Sequence, residues 1–238
     1  MGSSTISSDR KRFYPLFLAL DGRQCLVVGG GSVGERKVRR LMDYGARVAV
    51  VAEQLTPWLR DRVQNQQVTL LDGPYHPEVL DGMVLVFAAT NDKMLNRRIA
   101  QDARERGIWC NMATDPERGD VILPSIYEQG SLCIAFSTGG LSPGVAKVIR
   151  EQFEKDFGPE WVATLDFLGG LRTAIKDLGL PQSENQRIFR ELAALTLQDR
   201  IAGQEQEEML EAVAALCGPQ LDTEQIRALW EKSWKQLS

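Results

Sequence analysis

The chain has a single histidine, His76, among 238 residues. An unperturbed acid–base group near neutrality is therefore almost missing, because histidine alone titrates there without help. His76 sits in a loop punctuated by Gly73, Pro74 and Pro77 and reads as a surface residue before it reads as a catalyst. The four cysteines, Cys25, Cys110, Cys133 and Cys217, show no paired metal-ligand spacing, so no metal site is expected. Cys25, Cys110 and Cys133 fall in predicted strands, where a buried, inert thiol is the expectation, and the protein is expected in a reducing, cytoplasmic setting. No run approaches the roughly eighteen apolar residues of a membrane span. The net charge of −4 gives no general attraction for nucleic acid or a membrane surface. The opening residues, MGSSTISSDRKR, lack the apolar segment of a signal peptide and are expected to be polar and disordered over 1–12.

The stretch Gln24–Glu53 organises what is present. A short apolar run, Cys25–Val28, suits a buried parallel strand and is too short for a helix. Gly29, Gly30, Gly31, Ser32, Val33 and Gly34 follow, and then a helical pattern to Tyr44 with Val33, Val38, Leu41 and Met42 as its apolar face. Arg47–Ala52 reads as a second strand. The G-x-G-x-x-G spacing of Gly29, Gly31 and Gly34 lies between strand and helix, the context that turns a weak pattern into a dinucleotide-binding expectation. Gly29 allows the sharp exit, Gly31 a close backbone approach to a pyrophosphate, and Gly34 close helix–sheet packing. The helix N-terminus adds unpaired N–H groups and about half a positive charge. Glu53 follows about twenty residues on, where a ribose hydroxyl is bound in such folds. It would repel a 2′-phosphate, so NAD is expected over NADP, with Arg47 and Arg60 leaving NADP open.

Alternation of strand and helix continues: a helix over Pro57–Asn65, strands at Val68–Leu71, Met83–Ala89 and Ile108–Met112, and a helix ending at Arg106. Ligands collect at the carboxyl ends of such strands, which marks Thr90, Asn91 and Asp92, and then Asn111, Thr114 and Asp115. Beyond Asp115–Asp120 the rhythm breaks. Strands are expected at Val121–Pro124 and Leu132–Ser137, then a glycine turn over Ser137–Gly144, with Ser142 and Pro143 opening a helix from about Val145 to Phe157. The rest is helical in pattern, with breaks expected at Gly169–Gly170, Gly179–Pro181, Gly203 and Gly218–Pro219. The fold class expected is α/β: a Rossmann-type NAD-binding domain over 13–117, a small α+β dimerisation domain over 118–157 and a helical C-terminal domain over 158–238.

Several stretches together resemble one family. They are Tyr14-Pro15-Leu16-Phe17-Leu18, Val27-Val28-Gly29-Gly30-Gly31 with Glu35-Arg36-Lys37, and Gly45-Ala46-Arg47-Val48. Ala88-Ala89-Thr90-Asn91-Asp92, Cys110-Asn111 with Asp115-Pro116-Glu117, Pro124-Ser125-Ile126 and Ser137-Thr138-Gly139-Gly140 with Ser142-Pro143 complete the set. Their order resembles precorrin-2 dehydrogenase, the module that occurs alone or as the front part of siroheme synthase. The resemblance implies an enzyme that uses NAD to oxidise precorrin-2 to sirohydrochlorin, and a homodimer interlocked through the middle region. Some members also insert iron. The stretch after residue 157 is too short for the methyltransferase domain of the longer members.

By the same resemblance the nucleotide contacts are the glycine turn with Ser32 and Val33, then Glu53 and Gln54. The family carboxylate follows an Asn-containing strand in a pattern like Asn-Val-x-Asp. Here that position is Thr114, with Asp115 one step later, so the catalytic group is expected among Asn111, Thr114, Asp115 and Thr138. A carboxylate can take the proton released when the macrocycle is aromatised, and threonine cannot. Dehydrogenation alone is therefore favoured over dehydrogenation with chelation. A non-catalytic NAD- or tetrapyrrole-binding protein is the rival from another class. A polycarboxylate substrate needs local cations, and Lys147, with Ser142 near it, is the expected contact.

Overall fold

Five short runs become strands because each carries β-branched or aromatic residues that can be buried on both faces. In the computed structural model, which describes residues 11–115, 118–195, 197, 206–219 and 221–235, they are β1 (Gln24–Val28), β2 (Arg47–Val51), β3 (Thr69–Leu71), β4 (Leu85–Ala88) and β5 (Trp109–Met112). All pair in parallel in the order β3-β2-β1-β4-β5. Between them run α1 (Ser32–Asp43), α2 (Pro57–Gln64), a 3-10 turn (Pro77–Leu80) and α3 (Lys93–Glu105). The order reverses between β1 and β4. This is the Rossmann-type sheet expected.

The two faces of the sheet divide the apolar residues by strand alternation. Cys25, Val27, Val48, Val50, Leu85 and Phe87 pack with Val38 and Leu41 of α1 and Leu59 of α2. Leu26, Val28, Ala49, Val51, Val86 and Ala88 pack with Ile99, Ala100 and Ala103 of α3. Burial pushes the Cys25 thiol up to about 11 and that of Cys110 to about 12, so both stay protonated at neutral pH, as inert core thiols should. Cys133 departs from that expectation and is exposed. Val33 also departs from the helix face assigned to it, being 40% exposed at the start of α1.

Val121–Pro124 is not a strand. The N–H groups of Asp120 and Val121 both reach the Cys110 carbonyl, at 2.7 and 3.2 Å. The Asn111 side-chain amide donates to the Val121 carbonyl at 2.8 Å. The segment is thus tied to β5 by isolated bonds, and Pro124 brings no donor for a ladder. The hairpin forms one step later, from β6 (Ser125–Gln129) and β7 (Leu132–Phe136), turning at Gly130 with φ +53°.

The chain divides into two units. One runs up to Leu123 and includes Thr138–Ser142, and the other comprises Pro124–Ser137 and the chain from Pro143. In the second unit, α4 (Pro143–Asp156) and α5 (Pro159–Asp177) accompany the hairpin, followed by α6 (Gln182–Ala193), α7 (Gln206–Cys217) and α8 (Thr223–Lys235). Phe136, Phe153, Phe157 and Trp161 form a chain of ring contacts with centroids 4.8 to 5.1 Å apart. The Tyr127 hydroxyl bonds to the Phe157 carbonyl. Phe167, Leu171, Ile175, Met209, Val213 and Ile226 centre the helical core. Helix α5 runs through the break expected at Gly169–Gly170. A Cβ on Gly170 would lie 3.1 Å from Leu229 of α8, so this glycine serves helix–helix contact. Breaks do occur after α5 and after α7, and Gly203 lies outside the described residues. No helix among the described residues is long and apolar enough to cross a membrane.

Helices α1 and α2 are tied at one point. Glu35 accepts from Arg39 at 2.7 and 2.9 Å, and the Arg39 guanidinium lies 3.8 Å from the Trp58 ring centre. A hydrogen bond from Thr56, and then that from Arg39, holds the Glu35 carboxyl below its ordinary value of 4.5. A carboxyl with a depressed folded-state pKa contributes stability above its unfolded value and loses it as pH falls through the folded one. Glu35→Gln should therefore unfold at lower denaturant than the parent at neutral pH, and the gap should close as pH falls below 4.5. Denaturant midpoints across pH check this. A gap that stays constant into acid would show that the charge contributes nothing.

Candidate active site

The helices following β1 and β4 lie on opposite faces of the sheet, so their connections part at the carboxyl edge and leave a crevice. Its volume is about 740 Å³, and it is lined by Gly29–Val33, Glu53–Thr56, Gly73–Tyr75 and Ala89–Asp92.

The glycines of the first turn have different causes. Gly29 has φ +123°, and a Cβ there would lie 2.4 Å from the Ala89 carbonyl oxygen. A Cβ on Gly30 would lie 2.1 Å from the Gln54 carbonyl oxygen, and one on Gly34 would lie 1.9 Å from that of Gly29. The protein's own backbone therefore demands these three. Gly31 is different: its φ is an ordinary −79° and a Cβ there would meet nothing within 4 Å. Among the described residues nothing requires glycine at this position, whereas a pyrophosphate lying against the backbone would.

The helix ends differ in the same way. Asp92 caps α3, its carboxylate accepting from Met94 N and Leu95 N at 2.8 and 3.1 Å. Thr56 caps α2 through Leu59 N. No side chain caps α1 at Gly31. Of the three, α1 alone presents its first N–H groups and its dipole uncompensated, which is what an anion needs.

Glu53 and Gln54 follow β2 and line the crevice with exposed side chains. Thr90 and Asn91 line it beyond β4. Thr90 is tied inward: its hydroxyl donates to Asn96 Oδ1 at 2.7 Å and its N–H to the same oxygen at 3.2 Å. Two residues escaped the sequence reading, Tyr75 in the crevice wall and Asn96 behind it. Tyr75 is buried and donates to Asp102 at 3.0 Å, and burial together with that bond raises its phenol pKa above the ordinary value. Asn96 is completely buried on α3. Its place in the stripe Asn96, Ile99, Ala100, Ala103 is a signal that could have found it, since a polar residue on an apolar helix face calls for partners.

At the end of β5, Thr114 and Asp115 lie outside the crevice lining. Thr114 Oγ1 accepts from Asn96 Nδ2 at 3.4 Å. Asp115 pairs with Arg118 at 3.2 Å on the surface. Asn111, read as part of the catalytic group, is 4% exposed and holds Val121, a structural task, and its Oδ1 has no partner among the described residues. The Thr138 hydroxyl accepts from Ser142 N and donates to Ser142 O, both at 3.1 Å, closing the glycine turn on itself. Lys147 lies on α4 with its side chain 67% exposed and pairs with Glu151 at 3.5 Å. His76 pairs with Glu78 at 2.9 Å, outside the crevice lining. Among the described residues no three His, Cys, Asp or Glu side chains gather closely enough to hold a metal ion.

A five-stranded parallel sheet with an open helix end at its switch point defines a Rossmann-type nucleotide-binding protein. The NAD_binding_7 family, described as NAD(P)-binding, matches residues 16–125. Siroheme synthase 2 of Klebsiella pneumoniae subsp. pneumoniae is 36% identical over 188 residues, which is 79% of this chain and 40% of that protein. Siroheme synthase of Escherichia coli O139:H28 is 35% identical over 209 residues, 87% of this chain and 46% of that protein. The chain thus spans less than half the length of these curated relatives. Among solved structures, SirC, precorrin-2 dehydrogenase, matches 82% of this chain and 100% of its own, at 25% identity and a TM-score of 0.64. The chain is a relative of the siroheme synthases and of precorrin-2 dehydrogenase, the family its motifs resemble, and NAD as cofactor accords with both likenesses.

Two alanine variants separate the roles of the glycines. Gly34→Ala should lower stability by about 1–3 kcal/mol, because the turn must yield to the new methyl. Gly31→Ala should cost no more than about 1 kcal/mol of stability, the Gly-to-Ala difference at an N-cap, yet bind NAD about tenfold more weakly or worse, ~1.4 kcal/mol. Thermal melts and calorimetric NAD titrations read both. Unchanged NAD affinity in Gly31→Ala would remove the pyrophosphate from this turn.

Proposed function

We propose that this chain oxidises precorrin-2 to sirohydrochlorin with NAD bound in the crevice between β1 and β4. The observation that carries the reading is the uncapped start of α1 beside Gly31, a backbone surface left open where a dinucleotide phosphate belongs. The match to the whole length of a precorrin-2 dehydrogenase supports the substrate.

NAD, when bound, supplies the hydride acceptor, so the protein has to bind, orient and take up a proton. The N–H groups of Ser32 and Val33 hold the pyrophosphate. Glu53 accepts from the ribose hydroxyls and disfavours a 2′-phosphate, with Gln54 beside it. Thr90 and Asn91 flank the cofactor at the end of β4. Asp115 is the group beside Thr114 that can accept the proton released as the macrocycle gains its double bond, since the Thr114 hydroxyl is far too weak a base at neutral pH. Lys147 and Ser142 are the contacts that the sequence assigns to carboxylates of the substrate. Thr114 at the carboxylate's expected position favours dehydrogenation without chelation. Asp115 supports the second reading, a dehydrogenase that also inserts iron.

The protein acts as a homodimer in the cytoplasm on this reading. Val148 and Ile149 of α4 are 64% and 38% exposed, and Cys133 and Ala135 of β7 are exposed as well. An apolar helix face beside a two-stranded sheet is a surface that a second copy would cover.

Purified protein with NAD and enzymatically generated precorrin-2 should form NADH and a sirohydrochlorin spectrum. Asp115→Ala should lower kcat by about 10²-fold or more while NAD affinity holds. NAD binding without any turnover in the parent would overturn the dehydrogenase reading, and a full rate in Asp115→Ala would remove Asp115 as the base. An enzyme-dependent spectral shift with ferrous ion would establish the second reading. Separately, Val148→Glu should convert a dimer to a monomer in light scattering. A parent that is already monomeric would sink the homodimer.

A further inference from the structure

Asn96 is a full amide with no exposure, on a helix face otherwise given to Ile99, Ala100 and Ala103. Burying an amide is unfavourable unless its hydrogen bonds are made inside. They are. Its oxygen accepts from the Thr90 N–H and hydroxyl at 3.2 and 2.7 Å. Its NH2 group donates to the Thr90 carbonyl at 2.9 Å and to Thr114 Oγ1 at 3.4 Å. None of this is needed to start α3, because Asp92 already caps that helix. One side chain therefore holds three atoms of the connection after β4 and one atom of the connection after β5.

We propose that Asn96 is a positioning residue that sets the end of β4, where the cofactor lies, against the end of β5, which presents Thr114 and Asp115. The inference rests on the dehydrogenase reading for its catalytic consequence. Hydride transfer requires donor and acceptor carbons held within a few tenths of an ångström, and the proton acceptor has to keep step with them. Backbone bonding holds β4 and β5 together as far as the Ala113 N–H, which donates to the Ala88 carbonyl at 3.1 Å. Past that bond, among the described residues, it is the Asn96 amide that links the two connections, through Thr90 and Thr114. The direction of its bonds follows: the NH2 group needs an acceptor at position 114, which the Thr114 oxygen provides.

Three variants test this: Thr114→Val, Asn96→Asp and the double variant. Asn96→Asp keeps both acceptor contacts with Thr90 and loses both donor contacts. Thr114→Val removes only the far end of the span and sits at an exposed position, so its folding is not at risk should the buried carboxylate prove disruptive. Each is read by calorimetric NAD titration and by kcat and KM with precorrin-2. Thr114→Val should keep NAD affinity within about twofold and lower kcat about five- to tenfold, the scale of one lost hydrogen bond. Asn96→Asp should lower kcat by a similar factor and, having lost the Thr90 carbonyl as well, bind NAD about fivefold more weakly. The double variant should be no slower than Asn96→Asp alone, because both substitutions break the same link.

Rate losses that multiply would mean that Thr114 acts on the substrate by itself, and the span would be overturned. So would Asn96→Asp binding NAD as the parent does. Should the parent bind NAD without oxidising precorrin-2, the dehydrogenase reading fails. The clamp on Thr90 is then judged by the NAD titrations, where loss of affinity in Asn96→Asp keeps it and parental affinity ends it.

Discussion

The contact on which the nucleotide unit depends is backbone against backbone: the carbonyl of Gly29 against Gly34. Only a missing methyl lets α1 leave β1 this tightly, since a Cβ on Gly34 would stand 1.9 Å from the Gly29 oxygen. That approach places the first turn of α1 directly over the carboxyl end of β1. It leaves the helix start as a face of the crevice. The neighbouring Gly29–Ala89 and Gly30–Gln54 approaches close the turn against the ends of β4 and β2. The glycine-turn side of the crevice is thus main chain, whose position no rotamer can change. Glu53, Gln54, Tyr75 and Asn91 line the crevice as well.

Seen from the helices, the site is a difference in capping. Helices α2 and α3 satisfy their own first N–H groups, by Thr56 and Asp92. The start of α1 is left open at the same edge of the sheet. A serine or aspartate at an N-cap is worth about a few tenths of a kcal/mol more than glycine. The glycine at this position of α1 forgoes that small gain and leaves the N–H groups open to an anion. The Glu35–Arg39–Trp58 cluster one turn further on offsets part of that cost by tying α1 to α2.

Much of this was legible in the sequence because short-range rules govern it. The glycine spacing, the β-branched runs and the acidic residue after β2 are local signals, and the sheet order follows from them once the alternation is seen. What was not legible depends on residues far apart in the chain. Asn96 looks like an ordinary helix residue until the ends of β4 and β5 are brought beside it. Tyr75 gains its partner Asp102 from twenty-seven positions away. Gly169–Gly170 reads as a helix break, and only the approach of Leu229 turns Gly170 into a packing position. Val121–Pro124 has strand composition, but the bonds to Cys110 and Asn111 leave it no partner strand. Local propensity yielded to tertiary context in each case.

The remaining physical question is how a chain of net charge −4 would hold a substrate with many carboxylates. Its cations are not idle on α4. Lys147 pairs with Glu151, and Arg150 with Glu151 and Glu154. These are pairs along one helix with partly exposed partners, and such pairs contribute about 0–1 kcal/mol each. A carboxylate-bearing ligand can displace the glutamate from Lys147 at little cost and gains a fixed position in return. Buried pairs would resist such exchange, since removing one partner there leaves an uncompensated charge. Surface pairing on α4 therefore leaves its cations open to exchange, and on the dehydrogenase reading the acidic balance of the whole chain would be no obstacle to a polyanionic substrate.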